Sequence, residues 1–92
     1  MNEPLSAIVR IENVRGLHAR ASARFCAVAS SFDAVIRVAN DEWSVPGDSI
    51  MGLMMMGASF GSEITITAEG PQAADALDTL VKLVADRFGE PA

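Results

Sequence analysis

The only histidine, His18, sits in the run Gly16-Leu17-His18-Ala19-Arg20, and three arginines, Arg15, Arg20 and Arg24, lie within ten residues around it. An imidazole nitrogen can attack a phosphoryl group, and a guanidinium is well shaped to grip phosphate oxygens in two-pronged fashion. A lone histidine in a small protein is commonly just a partly exposed side chain, so its position has to carry the argument. An alternating run ends at Arg15-Gly16 and helical spacing begins near Ala19, which puts His18 where a strand has given way to a helix start. The first N–H groups of a helix have no partner inside it and, with the helix dipole, form an anion site. Free amides around Gly16, Ala19 and Ala21, with the charge of Arg20, would receive the oxygens of a phosphoryl group on the ring. The same dipole disfavours the imidazolium and leaves the ring neutral and nucleophilic. Gly16 permits the backbone conformation that turns the ring outward. No metal or partner carboxylate is required, because phosphoryl transfer rests mainly on positioning and charge neutralisation.

The elements that must hold this arrangement follow from periodicity. Leu5 to Asn13 alternates, with Leu5, Ala7, Val9 and Ile11 on one face, and predicts a half-buried strand. Ala21, Phe25, Val28 and Phe32 recur at helical intervals and predict a helix from Ala19 to about Ser30. Ala34 to Ala39 alternates again, Asn40-Asp41 marks a turn, and Trp43 to Val45 is a short strand that Pro46-Gly47 ends. Asp48 or Ser49 can cap a helix running to about Met56, closed by Gly57. Ser62 to Ala68 is a strand with Ile64, Ile66 and Ala68 inward. A last helix opens at Gly70-Pro71, with proline suited to the first helical position. It carries Ala73, Leu77, Leu80, Val81, Val84 and Phe88 as its apolar stripe, and Gly89 and Pro91 close it. Asp78 and Lys82 can pair across one outer turn. The order β-α-β-β-α-β-α predicts an α+β open-faced sandwich, a four-stranded, mostly antiparallel sheet covered on one face by three helices.

Composition bounds the rest. Ninety-two residues fit one domain, 1–92, with an ordered core of about 5–88. Half the residues are apolar and 21% charged, as in a globular protein rather than a disordered one. One cysteine excludes an internal disulfide and any site of several thiolates, and points to a reducing, cytoplasmic setting. No signal-peptide pattern opens the chain, and its most apolar stretch, Ile50 to Phe60, is too short to span a bilayer. The expectation is therefore a soluble protein without a membrane partner. Residues 1–40 carry five Arg and three acids, for +2, whereas residues 41–92 carry two bases and nine acids, for −7. An acidic body with a small cationic patch is a poor nucleic-acid binder and suits a single phosphoryl group or an acidic protein partner.

Gly16-Leu17-His18-Ala19-Arg20 resembles the active-site motif of HPr, the histidine-containing phosphocarrier of the phosphoenolpyruvate-dependent sugar phosphotransferase system. Gly47-Asp48-Ser49-Ile50-Met51-Gly52-Leu53, 31 residues later, resembles the segment bearing that family's regulatory serine. The resemblance covers nearly the whole chain in length, element order and motif separation. It implies a phosphocarrier rather than an enzyme, with no cofactor and no metal. His18 would accept phosphate through Nδ1 from phosphorylated enzyme I and pass it to a IIA domain, and Arg20 would stabilise the phosphoryl group. Ser49 would be the target of an HPr kinase/phosphorylase where one exists. One departure stands out: Ala21 follows Arg20 where the family commonly has proline. Alanine is a strong helix former and its N–H adds a donor near the phosphate.

Other features admit plain readings as well. Serine at a helix start is most often only a cap. Phosphate on Ser49 would gain from the helix N-terminus and place about two negative charges beside the neighbouring methionines, opposing docking to acidic partners. Met51, Met54, Met55 and Met56 could be core filling, but one face of so short a helix cannot bury them together with Ile50 and Leu53; with Ile50, Leu53 and Met56 or Gly57 inward, Met51, Met54 and Met55 are left partly exposed. Exposed thioethers suit a surface that meets several partners in turn. The resemblance implies the same use, with Ile50, Met51, Met54, Met55 and Arg24 at a docking face. Cys26 reads as a small buried hydrophobe, and Trp43 as a packing residue.

Competing functions fare worse. A metal-delivery domain needs paired soft ligands, and Cys26 has no second cysteine. An RNA-recognition domain needs exposed aromatics on a basic sheet. A small-molecule sensor gives no reason for His, Arg and Gly to meet at a helix start. The regulatory alternative is an HPr relative of the nitrogen-linked branch, whose phosphorylation at His18 or Ser49 controls target proteins by binding. A shuttle that fits two partners in turn is expected to be a monomer.

Overall fold

The alternating run at the start of the chain forms strand β1 (Leu5–Arg10), three residues shorter than the periodicity predicts. Its ladder stops at the Arg10–Glu63 pair. Beyond it the chain bends through a turn in which the Gly16 N–H donates to the Asn13 carbonyl, 3.1 Å. Helix α1 (Ala19–Ser30) follows, with the bounds read from the sequence. Strands β2 (Val35–Ala39) and β3 (Ser44–Pro46) form a hairpin, helix α2 spans Ile50–Met56, and β4 covers Glu63–Glu69. Helix α3 (Ala73–Ala85) and a 3₁₀ turn at Arg87–Gly89 complete the chain. This computed structural model describes residues 3–92; Met1 and Asn2, the first positions of the expected 1–92 unit, lie outside the described residues.

The sheet order is β1-β4-β2-β3, and every neighbouring pair is antiparallel. Strand β4 is one of the two inner strands, hydrogen-bonded to β1 along one edge and β2 along the other; Ile64, Ile66 and Ala68 are buried under the helices, while Thr65 and Thr67 stand on the opposite, open face. Phe25 of α1, Leu53 of α2, and Leu80 and Val84 of α3 close the core over them, all essentially without exposure. The open face carries Ile8, paired with Thr65, at 68% exposure. Trp43, read as a packing residue, is instead 42% exposed beyond the end of β2.

Two boundaries of α3 differ from the sequence reading, and each has a cause. The helix starts at Ala73, so Pro71 is not its first residue. Gln72 is engaged with Asp33 instead: its N–H donates to the Asp33 carbonyl at 3.0 Å, and its Oε1 accepts from the Asp33 N–H at 2.6 Å. At the other end the helix stops at Ala85, because Arg87 and Phe88 take left-handed φ values of 56° and 54°. That conformation costs an L-residue roughly 1–2 kcal/mol. Full burial of the Phe88 ring, worth about 1.5–3 kcal/mol, offsets much of it. Phe88 thus joins the core as predicted, but from a turn that reverses the chain and aims its last residues back at the start of α1.

Candidate functional site

His18 is the N-cap of α1, with extended backbone angles of φ −74° and ψ −179°. Two contacts of the preceding loop place it there. The Leu17 N–H donates to the Ala58 carbonyl at 2.9 Å, and the Ser22 hydroxyl, fully buried, donates to the Leu17 carbonyl at 3.1 Å. Gly16 is required on two counts. Its φ is +65°, and a Cβ there would lie 2.4 Å from the Ala58 oxygen. The loop therefore sits against the chain just after α2 with no room for a larger residue.

The imidazole is held at both ring nitrogens. Nδ1 accepts from the Arg20 N–H at 3.3 Å, a long bond. Nε2 meets Oε2 of Glu90. A carboxylate can only accept, so the partners assign the proton to Nε2 and leave the lone pair on Nδ1. That lone pair faces the opening turn of α1. There the N–H groups of Ala19, Arg20 and Ala21 precede the first helical bond, from Ser22 N–H to the His18 carbonyl, 2.9 Å. Ala21 is buried and fits the helix without distortion. The His18 side chain is 15% exposed. It is neither tucked into the core nor aimed away from the helix mouth.

Neither Glu90 nor its second partner figures in the sequence reading. Asn13 is fully buried; its Nδ2 donates to the Gly16 carbonyl at 2.8 Å and to Glu90 Oε1 at 3.0 Å. Asn13 Oδ1 has no partner among the described residues. Asn13 had a readable signal, since Asn-x-x-Gly is a β-turn signature. Glu90 had none, because its approach depends on the left-handed turn at Arg87 and Phe88. Burial pushes the Glu90 carboxyl up. The hydrogen bonds from His18 and Asn13, with the positive charge of Arg15, outweigh this and hold it below the ordinary glutamate value.

The arginines divide. Arg15 and Arg20 line a hollow of about 350 Å³ with Val14, Pro91, Ala92 and Glu90, the residue that meets His18. Arg24 lies on the outer side of α1, where its Nη1 donates to the Phe88 carbonyl. It therefore braces the C-terminal turn. The second motif lies at the start of α2. Ser49 is the N-cap, half-buried, and its Oγ accepts from the Gly52 N–H at 3.0 Å. Of the residues on α2, Leu53 and Met56 are buried, whereas Ile50, Met51, Met54 and Met55 are exposed by 41%, 68%, 41% and 60%. Phe60, 56% exposed just after α2, is an apolar surface residue that the sequence reading passed over. Cys26 is only partly buried, and its thiol donates to the Asp48 carbonyl at 3.1 Å, tying α1 to the start of α2. Among the described residues no group of His, Cys, Asp and Glu side chains is placed to hold a metal ion, and no helix is long and apolar enough to cross a membrane.

A family model described as "PTS HPr component phosphorylation site" matches residues 5–86. Phosphocarrier protein HPr of Cupriavidus necator is 42% identical over 80 residues, covering 87% of this chain and 90% of that protein. Phosphocarrier protein NPr of Shewanella violacea is 39% identical over 82 residues, 89% of this chain and 90% of that protein. A crystal structure of HPr from Thermoanaerobacter tengcongensis superposes with a TM-score of 0.91 at 39% identity, covering 96% of this chain and 99% of that one. Fold, motifs and likeness together define a phosphocarrier, a protein that holds a phosphoryl group for others and is not an enzyme. The chain belongs to the HPr family of the phosphotransferase system.

Proposed function

We propose that this protein accepts a phosphoryl group on His18 Nδ1 from phosphorylated enzyme I and passes it to a IIA domain, working as a cytoplasmic monomer. The observation that carries the reading is the Nδ1 lone pair facing the opening-turn amides of Ala19, Arg20 and Ala21, of which only that of Arg20 reaches it, in a long bond of 3.3 Å. As the lone pair forms the N–P bond, the donor's bond to phosphorus breaks and its electron pair leaves with the donor. The incoming oxygens displace the long Arg20 N–H contact from the ring and take those amides for themselves. Arg20, exposed beside the same hollow, closes over the charge. The exposed apolar residues of α2, with Arg24, form the docking face for both partners in turn.

Ser49 is the regulatory position in this reading, a site for an HPr kinase/phosphorylase. Its hydroxyl is already spent on a cap, so phosphate there would exchange one bond to the Gly52 N–H for a stronger one and add charge next to Met51. Likeness to both HPr and NPr relatives supports the carrier chemistry in either branch. The sugar branch is the first reading; control of target proteins in the nitrogen-linked branch is the second. Incubation with enzyme I and labelled phosphoenolpyruvate tests the core claim. The wild-type protein should gain an acid-labile label and His18→Ala none, with its fold intact by circular dichroism. Acid-labile label retained by His18→Ala would overturn the assignment. A label that survives acid and is lost in hot base would move it to serine.

A further inference from the structure

A phosphoryl acceptor needs one ring nitrogen, yet the other nitrogen of His18 is met by a carboxylate from the far end of the chain. We infer that Glu90 is a positioning residue for phosphoryl transfer, fixing the ring's tautomer and neutralising the charge the ring gains when Nδ1 takes phosphate. The inference rests on the reading of His18 as the acceptor.

Three observations carry it. Glu90 Oε2 meets Nε2, so that nitrogen keeps its proton and Nδ1 stays the nucleophile. The second oxygen is fixed by Asn13 at 3.0 Å, and Asn13 is fully buried and bonded to Gly16, so one loop positions both the ring and its carboxylate. The pair is also sheltered, with side-chain exposures of 15% and 11%. The segment that delivers Glu90 is built for the purpose. Two successive non-glycine residues are held left-handed, with Phe88 fully buried and Arg24 bonded to its carbonyl. A fraying tail would not keep so costly a backbone.

The charges balance through the step. A neutral ring that gives its Nδ1 electron pair to phosphorus, while retaining the Nε2 proton, becomes a positively charged phosphoimidazole. The Glu90 carboxylate lies against that proton and offsets the charge, as a buried aspartate does for an imidazolium in a hydrolase triad. On discharge the N–P bond breaks, its electron pair returns to Nδ1, and the Nε2 proton stays where it was. A ring that keeps this proton is the better leaving group, so Glu90 assists loading and unloading alike.

The test uses the full chain as wild type, Glu90→Gln and Glu90→Ala, with enzyme I and labelled phosphoenolpyruvate. For Glu90→Gln, kcat for phosphorylation should fall roughly 10–100-fold with KM little changed, the range for losing a group that orients a ligand residue. Nitrogen-15 spectra of the ring should show the proton on Nε2 in the wild type and a shift toward Nδ1 in both variants. Hydrolysis of the phosphorylated variants should be slower, with its pH profile displaced toward acid. Wild-type kcat with an unchanged tautomer in both variants would overturn the inference while leaving His18 as acceptor. Failure of the wild type itself to take label on His18 would overturn the carrier reading and this inference with it.

Discussion

Two helix openings in this molecule use the same device differently. At α1 the cap is His18, whose Nδ1 accepts from the Arg20 N–H at 3.3 Å; at α2 it is Ser49, whose Oγ accepts from the Gly52 N–H at 3.0 Å. Both caps have extended backbones and both leave other first-turn amides without a helical partner. The difference lies behind them. The imidazole is large enough to be gripped from its far side, by Glu90 and through it by Asn13, so its cap bond can be given up without losing the ring's orientation. The serine hydroxyl has one bond to the helix and, among the described residues, no other side-chain hydrogen bond. A braced cap can exchange its amide for phosphate repeatedly, whereas an unbraced one is tied to the stability of its own helix.

The largest expected contrast concerns the arginine beside the braced cap. Arg20→Ala removes a charge from the edge of the anion site and nothing from the core, since Arg20 is exposed and its backbone N–H remains. Phosphorylation by enzyme I should lose roughly 10²-fold in kcat, comparable with removing one donor from an oxyanion site. Thermal stability and docking affinity should stay near wild type. An unchanged kcat would take Arg20 out of the site and leave the helix amides as the only stabilisers at α1.

How much of this was legible in the sequence follows the range of the interactions. The place of His18 at a helix start, the glycine at 16, a cap at Asp48 or Ser49 (the structure uses Ser49) and the closing Gly57 are local, set by residue type and spacing within one turn. The split on α2 was legible in part: Leu53 and Met56 fill the one inward face of a seven-residue helix and Met51, Met54 and Met55 stay out, but Ile50, which that spacing puts inward, is 41% exposed at the helix start. What periodicity missed is non-local. Phe88 looked like the last member of a helical stripe; only packing shows that it reaches the core from a reversed turn. That turn then sends Glu90 back 72 positions to His18. Likewise, Gln72 caps α3 through its carbonyl while its N–H and side chain are tied to Asp33, which leaves Pro71 outside the helix.

A smaller effect should separate the two functions of the second cap. Ser49→Ala deletes the bond to the Gly52 N–H and should cost about 1 kcal/mol of unfolding free energy, with docking unchanged. Ser49→Asp keeps an acceptor at the cap, so its stability should remain near wild type while its affinity for enzyme I falls. Urea unfolding and titration calorimetry read the two quantities independently. Equal enzyme I affinity for wild type and Ser49→Asp would reduce Ser49 to a cap and nothing more.

The smallest expected effect is in the pH dependence of stability, which should distinguish the caps because only the first is braced by a carboxylate. Glu90 is held below its ordinary value by His18 and Asn13, with Arg15 adding positive charge, so the folded chain binds its proton less readily than the unfolded chain. The resulting stabilisation is complete above the unfolded-state value, at about pH 4 and upward, and is lost as pH falls through the lower folded value. Cellular pH therefore leaves the brace ionised. Urea unfolding of wild type and Glu90→Gln should show a constant stability difference near neutrality that shrinks in acid. The difference between wild type and Ser49→Ala should stay level throughout, because a hydroxyl cap does not titrate. If the Glu90→Gln difference also stayed level into strong acid, the carboxylate's charge would have no part in holding the ring, and the two helix openings would differ only in size.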